Sequence, residues 1–456
     1  MFVDMLFATS FATFDGILPM VCTDCQNSKP LKQIGLLFLH FDALARYHIV
    51  PEEKDTSLDF GSTLKKVAQS SRKNLIENRF ILPLNNISTK YVKSKKNGVS
   101  NAIQDKLNNY LQDYFVPVKD TERRKDEWAP RSICVTSISE REDSIIEKHN
   151  WLITTLDEEA LWPVAFNNSD VKKSMELVRK EIEANGSPLS FLVINSLGEG
   201  LGSGLGASVM VQLHEMYPKV LCTSCSMLPS SSSHLQWYDA VLSIHSMSQT
   251  CHQSFIIDYG TLRTSFLTLT TDLESIYQHC VASRNHSTIL KYLTLSHSSL
   301  SVDAEKKQEK KSTAILTDQL LSSDNWLITA PKKSTFKSLG MLCGYYGFEN
   351  GITLQQTKHE IKQQLINKKI FSDSSALKIF VDQQSPSLFS KAIMVSNQTS
   401  MKHPFQKIAN QFNKMYTQKA FLDWYIRENI NVQEFEEAYG HVNDVVSLWS
   451  TIDQSK

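Results

Sequence analysis

SLGEGLGSGLGASVMVQLHEMYP, residues Ser196 to Pro218, is the stretch on which the fold turns. It follows Ser190 to Asn195 (SFLVIN), a short apolar run that reads as a buried strand, and from Ala207 to about Tyr217 it reads as a helix. Between them, five glycines occupy the nine positions Gly198 to Gly206. Their missing side chains would let the backbone come close to a ligand and adopt positive φ. The helix that follows points free N–H groups and the positive end of its dipole at the loop, which makes an anion site. The candidate phosphate contacts are Gly198, Glu199, Gly200, Leu201, Gly202, Ser203 and Gly204, with Ser203 adding a hydroxyl donor. A Walker loop is excluded, because Leu205 stands where Lys is required. A dinucleotide fingerprint through Gly202, Gly204 and Ala207 lacks its acidic partner, since Leu221 to Met227 contains no acid. Two readings remain: another kind of nucleotide loop, or a glycine-rich turn that binds nothing. Glu199 favours the second, because its charge would oppose a phosphate.

Outward from this segment, residues 129–260 alternate strands and helices. Strands are expected at Ser132–Val135, Ser190–Asn195, Lys219–Cys222 and Phe255–Ile257, and a helix at Val171–Glu183. That alternation predicts a doubly wound parallel sheet with helices on its faces. Residues 261–385 read as a smaller mixed α/β unit, with strands at Trp326–Thr329, Gly340–Tyr345 and Ala376–Val381 and an exposed charge run at Glu305–Lys311. Residues 386–456 read as a helical hairpin. Its second helix places Phe435, Ala438, Val442, Val445 and Trp449 on one face, a stripe that reads as core packing, with Asn431 and Glu434 as a start signal and Pro404 opening the first helix. The first 128 residues are the least regular: Ile34–Tyr47 reads as a helix, and 52–109 as a polar insertion.

The 456 residues carry 48 basic and 48 acidic side chains, so no net field argues for nucleic acid or an anionic membrane. No run approaches the roughly 20 apolar residues of a membrane span. The start of the chain lacks a basic region, and Asp4 and Asp15 interrupt it, so no secretory signal is read. Eight scattered cysteines fit reduced thiols. Cys22/Cys25 and Cys222/Cys225 have zinc-ligand spacing, but residues three apart on a strand point to opposite faces, and no metal site is assigned.

Ser196–Pro218 resembles the signature loop GGGTGSG of tubulins and the helix after it, down to the Glu215, Tyr217, Pro218 ending. Met394–Thr399 (MVSNQT), Met415–Tyr425 (MYTQKAFLDWY) and Glu434–Ala438 are similar to the family's carboxy-terminal MLSNTT, MYAKRAFVHWY and EF-x-EA patterns. Weaker matches are Pro130–Ser132, Trp162 and Tyr238–Ser243. Phe41–Leu44 after Gln33–Gly35, and Gly204–Ala207, look like delta-type tubulins. The resemblance covers residues 129–456 well and the first 128 poorly. It implies a nucleotide domain, an intermediate domain and an outer helical hairpin. It also implies GTP or GDP with Mg2+ as cofactors, hydrolysis completed by a longitudinal neighbour, and assembly with other tubulin-family subunits, including delta- or epsilon-type centriolar tubulins, or with microtubule-associated proteins. The expected location is the cytoplasm and cytoskeleton, with the centrosome, centriole or basal body as the specialised case.

The departures from the family pattern fall on its nucleotide contacts. Glu199 and Leu201 replace a glycine and a threonine of the loop, and Thr136 and Ile138 stand at acidic positions near the magnesium. The resemblance assigns base reading to Asp239 and Tyr259, where the family has asparagines, and Gln236–Trp237 stands at the ribose-binding glutamate. The family's first loop survives only as Cys25, Gln26, Asn27 and Gln33–Gly35, and its hydrolytic loop has no counterpart ahead of Trp326. The expectation is an assembly subunit with a degenerate GTP site and no catalytic residue of its own. The alternatives are a GTP-regulated polymerising tubulin with a rebuilt site, or a tubulin-mimicking sequestering factor. A nucleotide-dependent oxidoreductase fits worse, because the acidic ribose partner is missing.

Overall fold

A computed structural model of the protein describes residues 36–41, 115–117, 128–130, 132–136, 151–157, 160–185, 190–229, 234–258, 261, 291–298, 312–332, 335–346, 354–368, 370–371, 377–381 and 391–454. The expected insertion at 52–109, the run Glu305–Lys311 and the contacts Cys25, Gln26, Asn27, Ile138 and Tyr259 lie outside these residues.

Ten strands form one sheet. Seven of them are parallel to their neighbours: β5 (Trp151–Ile153), β4 (Ser132–Thr136), β1 (Leu36–Phe41), β6 (Ser190–Ser196), β7 (Leu221–Leu228), β8 (Gln253–Asp258) and β9 (Tyr292–His297), in that spatial order. The sheet continues antiparallel through β12 (Lys391–Gln398) and β10 (Ser338–Tyr346), and ends on β11 (Leu377–Val381), parallel to β10. A separate two-stranded ribbon pairs β2 (Phe115–Pro117) with β3 (Trp128–Pro130).

The parallel α/β core is as expected, with three corrections. Within the expected helix Ile34–Tyr47, the described residues Leu36–Phe41 form the strand between β6 and β4. A six-residue run with five apolar side chains is shorter than a helix usually needs and suits a strand within a parallel sheet. Trp326–Thr329 makes only an isolated bridge between Trp326 and Ser296. The strand read at Lys219–Cys222 runs instead from Leu221 to Leu228, with Thr223, Ser224 and Ser226 buried inside it. The expected division at 260/261 is crossed by the β8–β9 pairing, and β12, within the segment read as hairpin, belongs to the sheet.

Helices cover the sheet: α1 (Trp162–Phe166), α2 (Asp170–Asn185), α3 (Gly206–Met216), α4 (Gln236–Thr250), α5 (Thr313–Leu321) and α6 (Leu354–Asn367). Then come three carboxy-terminal helices rather than two: α7 (Lys402–Thr417), the short α8 (Leu422–Arg427) and α9 (Val432–Gln454). α9 packs on α4 and α7 through the expected stripe. Phe435, Ala438, Val442 and Trp449 are buried and Val445 is half-buried. Tyr238 on α4 is the hub: its ring meets Phe412, Tyr425 and Phe435 at centroid distances of 5.3, 5.2 and 5.1 Å. Such edge-on pairs each add about 0.5–1.5 kcal/mol beyond area burial. The start of α9 is a reciprocal cap. The Glu434 N–H donates to Asn431 Oδ1 (2.8 Å), and Asn431 Nδ2 donates to Glu434 Oε1 (2.9 Å). No helix among the described residues is long and apolar enough to cross a membrane.

Phe435 is fully buried in this aromatic hub, so Phe435→Ala is expected to lower folding stability by roughly 3–5 kcal/mol. Denaturant midpoints of the two proteins check this. A loss below about 1 kcal/mol would mean that α9 is not seated on α4.

Candidate functional site

The glycine-rich stretch lies where a nucleotide loop would, at the carboxyl edge of β6. The Leu197 N–H donates to Met227 O (2.9 Å) and extends the ladder, and the chain bends through Gly198 and Glu199. From Gly200 it is already helical, winding through a π turn at Leu201–Leu205 into α3. The expected open loop 198–206 is therefore mostly the first turns of a helix. Gly200 and Gly206 have ordinary right-handed φ values of −49° and −61°, so positive φ does not explain them.

Close approach does. A Cβ on Gly200 would lie 2.1 Å from the Ala160 carbonyl oxygen, and one on Gly204 would lie 2.4 Å from that of Trp162. A Cβ on Gly202 would meet Ser196 N at 2.6 Å. These neighbours are backbone atoms and cannot swing aside. The Gly202 carbonyl accepts from Asn195 Nδ2 (3.0 Å), and Asn195 Oδ1 accepts from the Ser226 hydroxyl (2.7 Å). This chain of bonds holds the π turn against β6 and β7. Ser203 is fully buried, and its hydroxyl makes no hydrogen bond among the described residues.

Asp239, near the start of α4, is buried between two protein donors. The Trp162 N–H donates to its Oδ1 at 3.1 Å, and the Tyr425 hydroxyl donates to the same oxygen at 2.7 Å. Trp162 is further held by its indole N–H donating to the Ser243 hydroxyl (3.1 Å). Burial pushes the Asp239 carboxyl up to about 7, against the downward pull of these two bonds. Burial, then the neighbouring carboxylate, raises the Tyr425 hydroxyl. The carboxylate thus ties α1, α4 and α8 together.

The structure brings Gly198–Gly204 together with α1 and α4. Thr136 closes β4, and Asp258 closes β8. A Cβ at Gly200 or Gly204 would meet the Ala160 or Trp162 carbonyl, so the packing of α1 and the residues before it accounts for glycine at these positions. No cluster of three or more His, Cys, Asp or Glu side chains among the described residues could hold a metal ion. Cys222 turns toward Cys251, not toward Cys225.

Sequence reasoning did not single out a cleft of about 300 Å3 at the ends of β7 and β8, lined by Leu228, Pro229, Trp237, Asp258, His403 and Lys407 among others. The Thr329 hydroxyl donates to Asp258 Oδ2, and Lys407 Nζ lies 5.8 Å from the centre of the Trp237 ring. Its lining comes from four distant stretches, so no local pattern could have announced it.

Residues 76–265 match the Tubulin/FtsZ family, GTPase domain. The chain is 26% identical over 309 residues to a tubulin beta chain of Encephalitozoon intestinalis, covering 60% of this chain and 69% of that one. It is 25% identical over 325 residues to the tubulin beta-1 chain of Homo sapiens, covering 63% and 70%. With the tubulin beta chain of Saccharomyces cerevisiae the figures are 24% over 321 residues, covering 62% and 69%.

Two outcomes follow from this geometry. Gly200→Ala and Gly204→Ala are each expected to destabilise the protein by about 1–3 kcal/mol or more without added nucleotide, because a Cβ would meet fixed backbone. Thermal unfolding without nucleotide checks it, and unchanged melting would mean that the glycines serve a ligand instead. The raised carboxyl of Asp239 sets a sign for pH. The folded state keeps a proton that the unfolded chain releases near pH ~4, so this contribution is present at low pH and declines as pH rises toward about 7. Asp239→Asn keeps an oxygen acceptor and is expected to flatten that decline in a stability-versus-pH series.

Proposed function

We propose that this chain, similar to tubulin beta chains and matching the Tubulin/FtsZ GTPase domain over residues 76–265, is a cytoskeletal assembly subunit of the tubulin superfamily that docks with other tubulin-family subunits and does not itself turn over GTP. The observation that carries this reading is the close approach of the Ala160 and Trp162 carbonyls to the glycine turn, beside carboxy-terminal helices seated on α4 through the buried Phe435, Ala438, Val442 and Trp449. The close packing of Gly200 and Gly204 on the protein's own carbonyls supports a partly degenerate site. A subunit built this way contributes surfaces to a polymer, and its interfaces would not depend on a γ-phosphate. Glu199 supports the same reading, since a carboxylate beside the phosphates opposes their binding. The specialised setting we favour is a centriole or basal body, for which the support is the delta-like character of Phe41–Leu44 and Gly204–Ala207.

The match to a GTPase domain favours a second reading, a GTP-regulated subunit whose site is rebuilt from unusual residues. In that case residues 198–204 and 157–162 would have to separate to admit the ligand.

Co-sedimentation of the purified full chain with stabilised microtubules separates the two. The first reading expects association of similar affinity in GTP and in GDP. Association that appears only in GTP would favour the second, and no association in either would contradict the assembly role.

A further inference from the structure

At the end of the sheet opposite the glycine turn, two thiols face each other in the core. Cys222 lies near the start of β7, and Cys251 directly follows α4. Their Sγ atoms are 4.0 Å apart. The backbones are registered beside one another: the His252 N–H donates to the Cys222 carbonyl (2.8 Å), and the Cys222 N–H donates to His252 Nδ1 (3.0 Å). The residue adjoining Cys251 is thus bonded to Cys222 on both its donor and its acceptor. This places the two Cα atoms in the neighbourhood a disulfide requires without moving either element far.

We propose that Cys222 and Cys251 form a peroxide-sensitive dithiol, with Cys251 as the thiol attacked first and Cys222 as its resolving partner. The assignment of roles rests on the surroundings. The Cys251 sulfur has the Cys222 thiol, the Thr250 hydroxyl (4.0 Å) and the Lys291 ammonium about it. Lys291 is fixed by donating to the Ser248 carbonyl. The hydrogen bond from Cys222, with Thr250 and Lys291, holds the Cys251 thiol below its ordinary range. The same pairing and burial push Cys222 up, so it stays a protonated thiol.

The oxidant must be small. Cys222 and Cys251 are 1% and 3% exposed, and the Cys251 thiol donates to Met210 Sδ at 3.3 Å. A bulky disulfide such as oxidised glutathione cannot reach either sulfur in the folded state, whereas hydrogen peroxide, only slightly larger than water, can enter through ordinary fluctuations. The Cys251 thiolate attacks one peroxide oxygen, the O–O bond breaks and hydroxide leaves, giving a sulfenic acid. Cys222 sulfur then attacks the sulfenic sulfur, its proton is lost, and the sulfenic oxygen leaves as water. Two thiols are oxidised by two electrons in all, one peroxide is reduced, and two waters form. The product ties the start of β7 to the end of α4, the helix on which α7 and α9 rest.

The test is peptide mapping of the folded full chain after exposure to hydrogen peroxide, with alkylation of the remaining thiols under denaturing conditions. The expected result is a linked peptide pair containing Cys222 and Cys251 that disappears on reduction. Melting of the oxidised protein should shift upward and return on reduction. Cys225→Ser and Cys134→Ser, which leave the pair intact, should give the same crosslink, and Cys222→Ser should leave Cys251 as a sulfenic acid that is trapped by dimedone added together with the denaturant. Recovery of both Cys222 and Cys251 in alkylated form, while Cys134, Cys225 or Cys343 is oxidised, would overturn the proposal. So would a crosslink that forms only after the chain is unfolded.

Discussion

One oxygen of Asp239 holds three pieces of this molecule together. It accepts from the Trp162 N–H, which heads α1, and from the Tyr425 hydroxyl on α8, while its own backbone belongs to α4. Burying a carboxylate is costly unless its lone pairs are met. Once met here, they fix the height of α1 over the glycine turn and the seat of the carboxy-terminal helices on α4. The glycines answer the same constraint from the other side. With α1 held by Asp239, the Ala160 and Trp162 carbonyls press on Gly200 and Gly204, and no larger residue fits. The aromatic hub around Tyr238, one residue away, fills the space beneath.

This arrangement changes what the glycine-rich signature means. A run of glycines ahead of a helix signals that something comes close to the backbone, and the sequence has no means of saying what. In a nucleotide site it is a phosphate. Here the described neighbours are two carbonyl oxygens of the same chain, and the helix starts early enough to draw Gly202 and Gly204 into its turns. Glu199 points the same way from the sequence alone, because a carboxylate is a poor neighbour for a phosphate.

The legible parts of the fold were those with strong periodicity. The stripe of α9, its Asn431–Glu434 cap and the apolar strand β6 could be read directly, because each is decided by local spacing. β7 is longer than its apolar residues suggest, since Ser224 and Ser226 look like surface residues although Asn195 and Met247 receive their hydroxyls. β1 resembles a helix in sequence because a short run with five apolar residues in six has no period of its own. The resemblance assigns base reading to Asp239. Its hydrogen-bond partners in the fold are 77 and 186 residues away in the chain, beyond the reach of any pattern. The cleft under α7 and the Cys222–Cys251 pair escaped for the same reason, as both are made by tertiary neighbours.

The central claim is that this chain keeps the shape of an assembly subunit while its own backbone closes the phosphate turn. The most direct measurement is the nucleotide content of the natively purified protein, released by denaturation and identified by chromatography. The account expects a folded protein with far less than one guanine nucleotide per chain. Near-stoichiometric GTP or GDP would contradict it, and would require the segment from Asp157 to Trp162 to lift off the glycines in the working molecule.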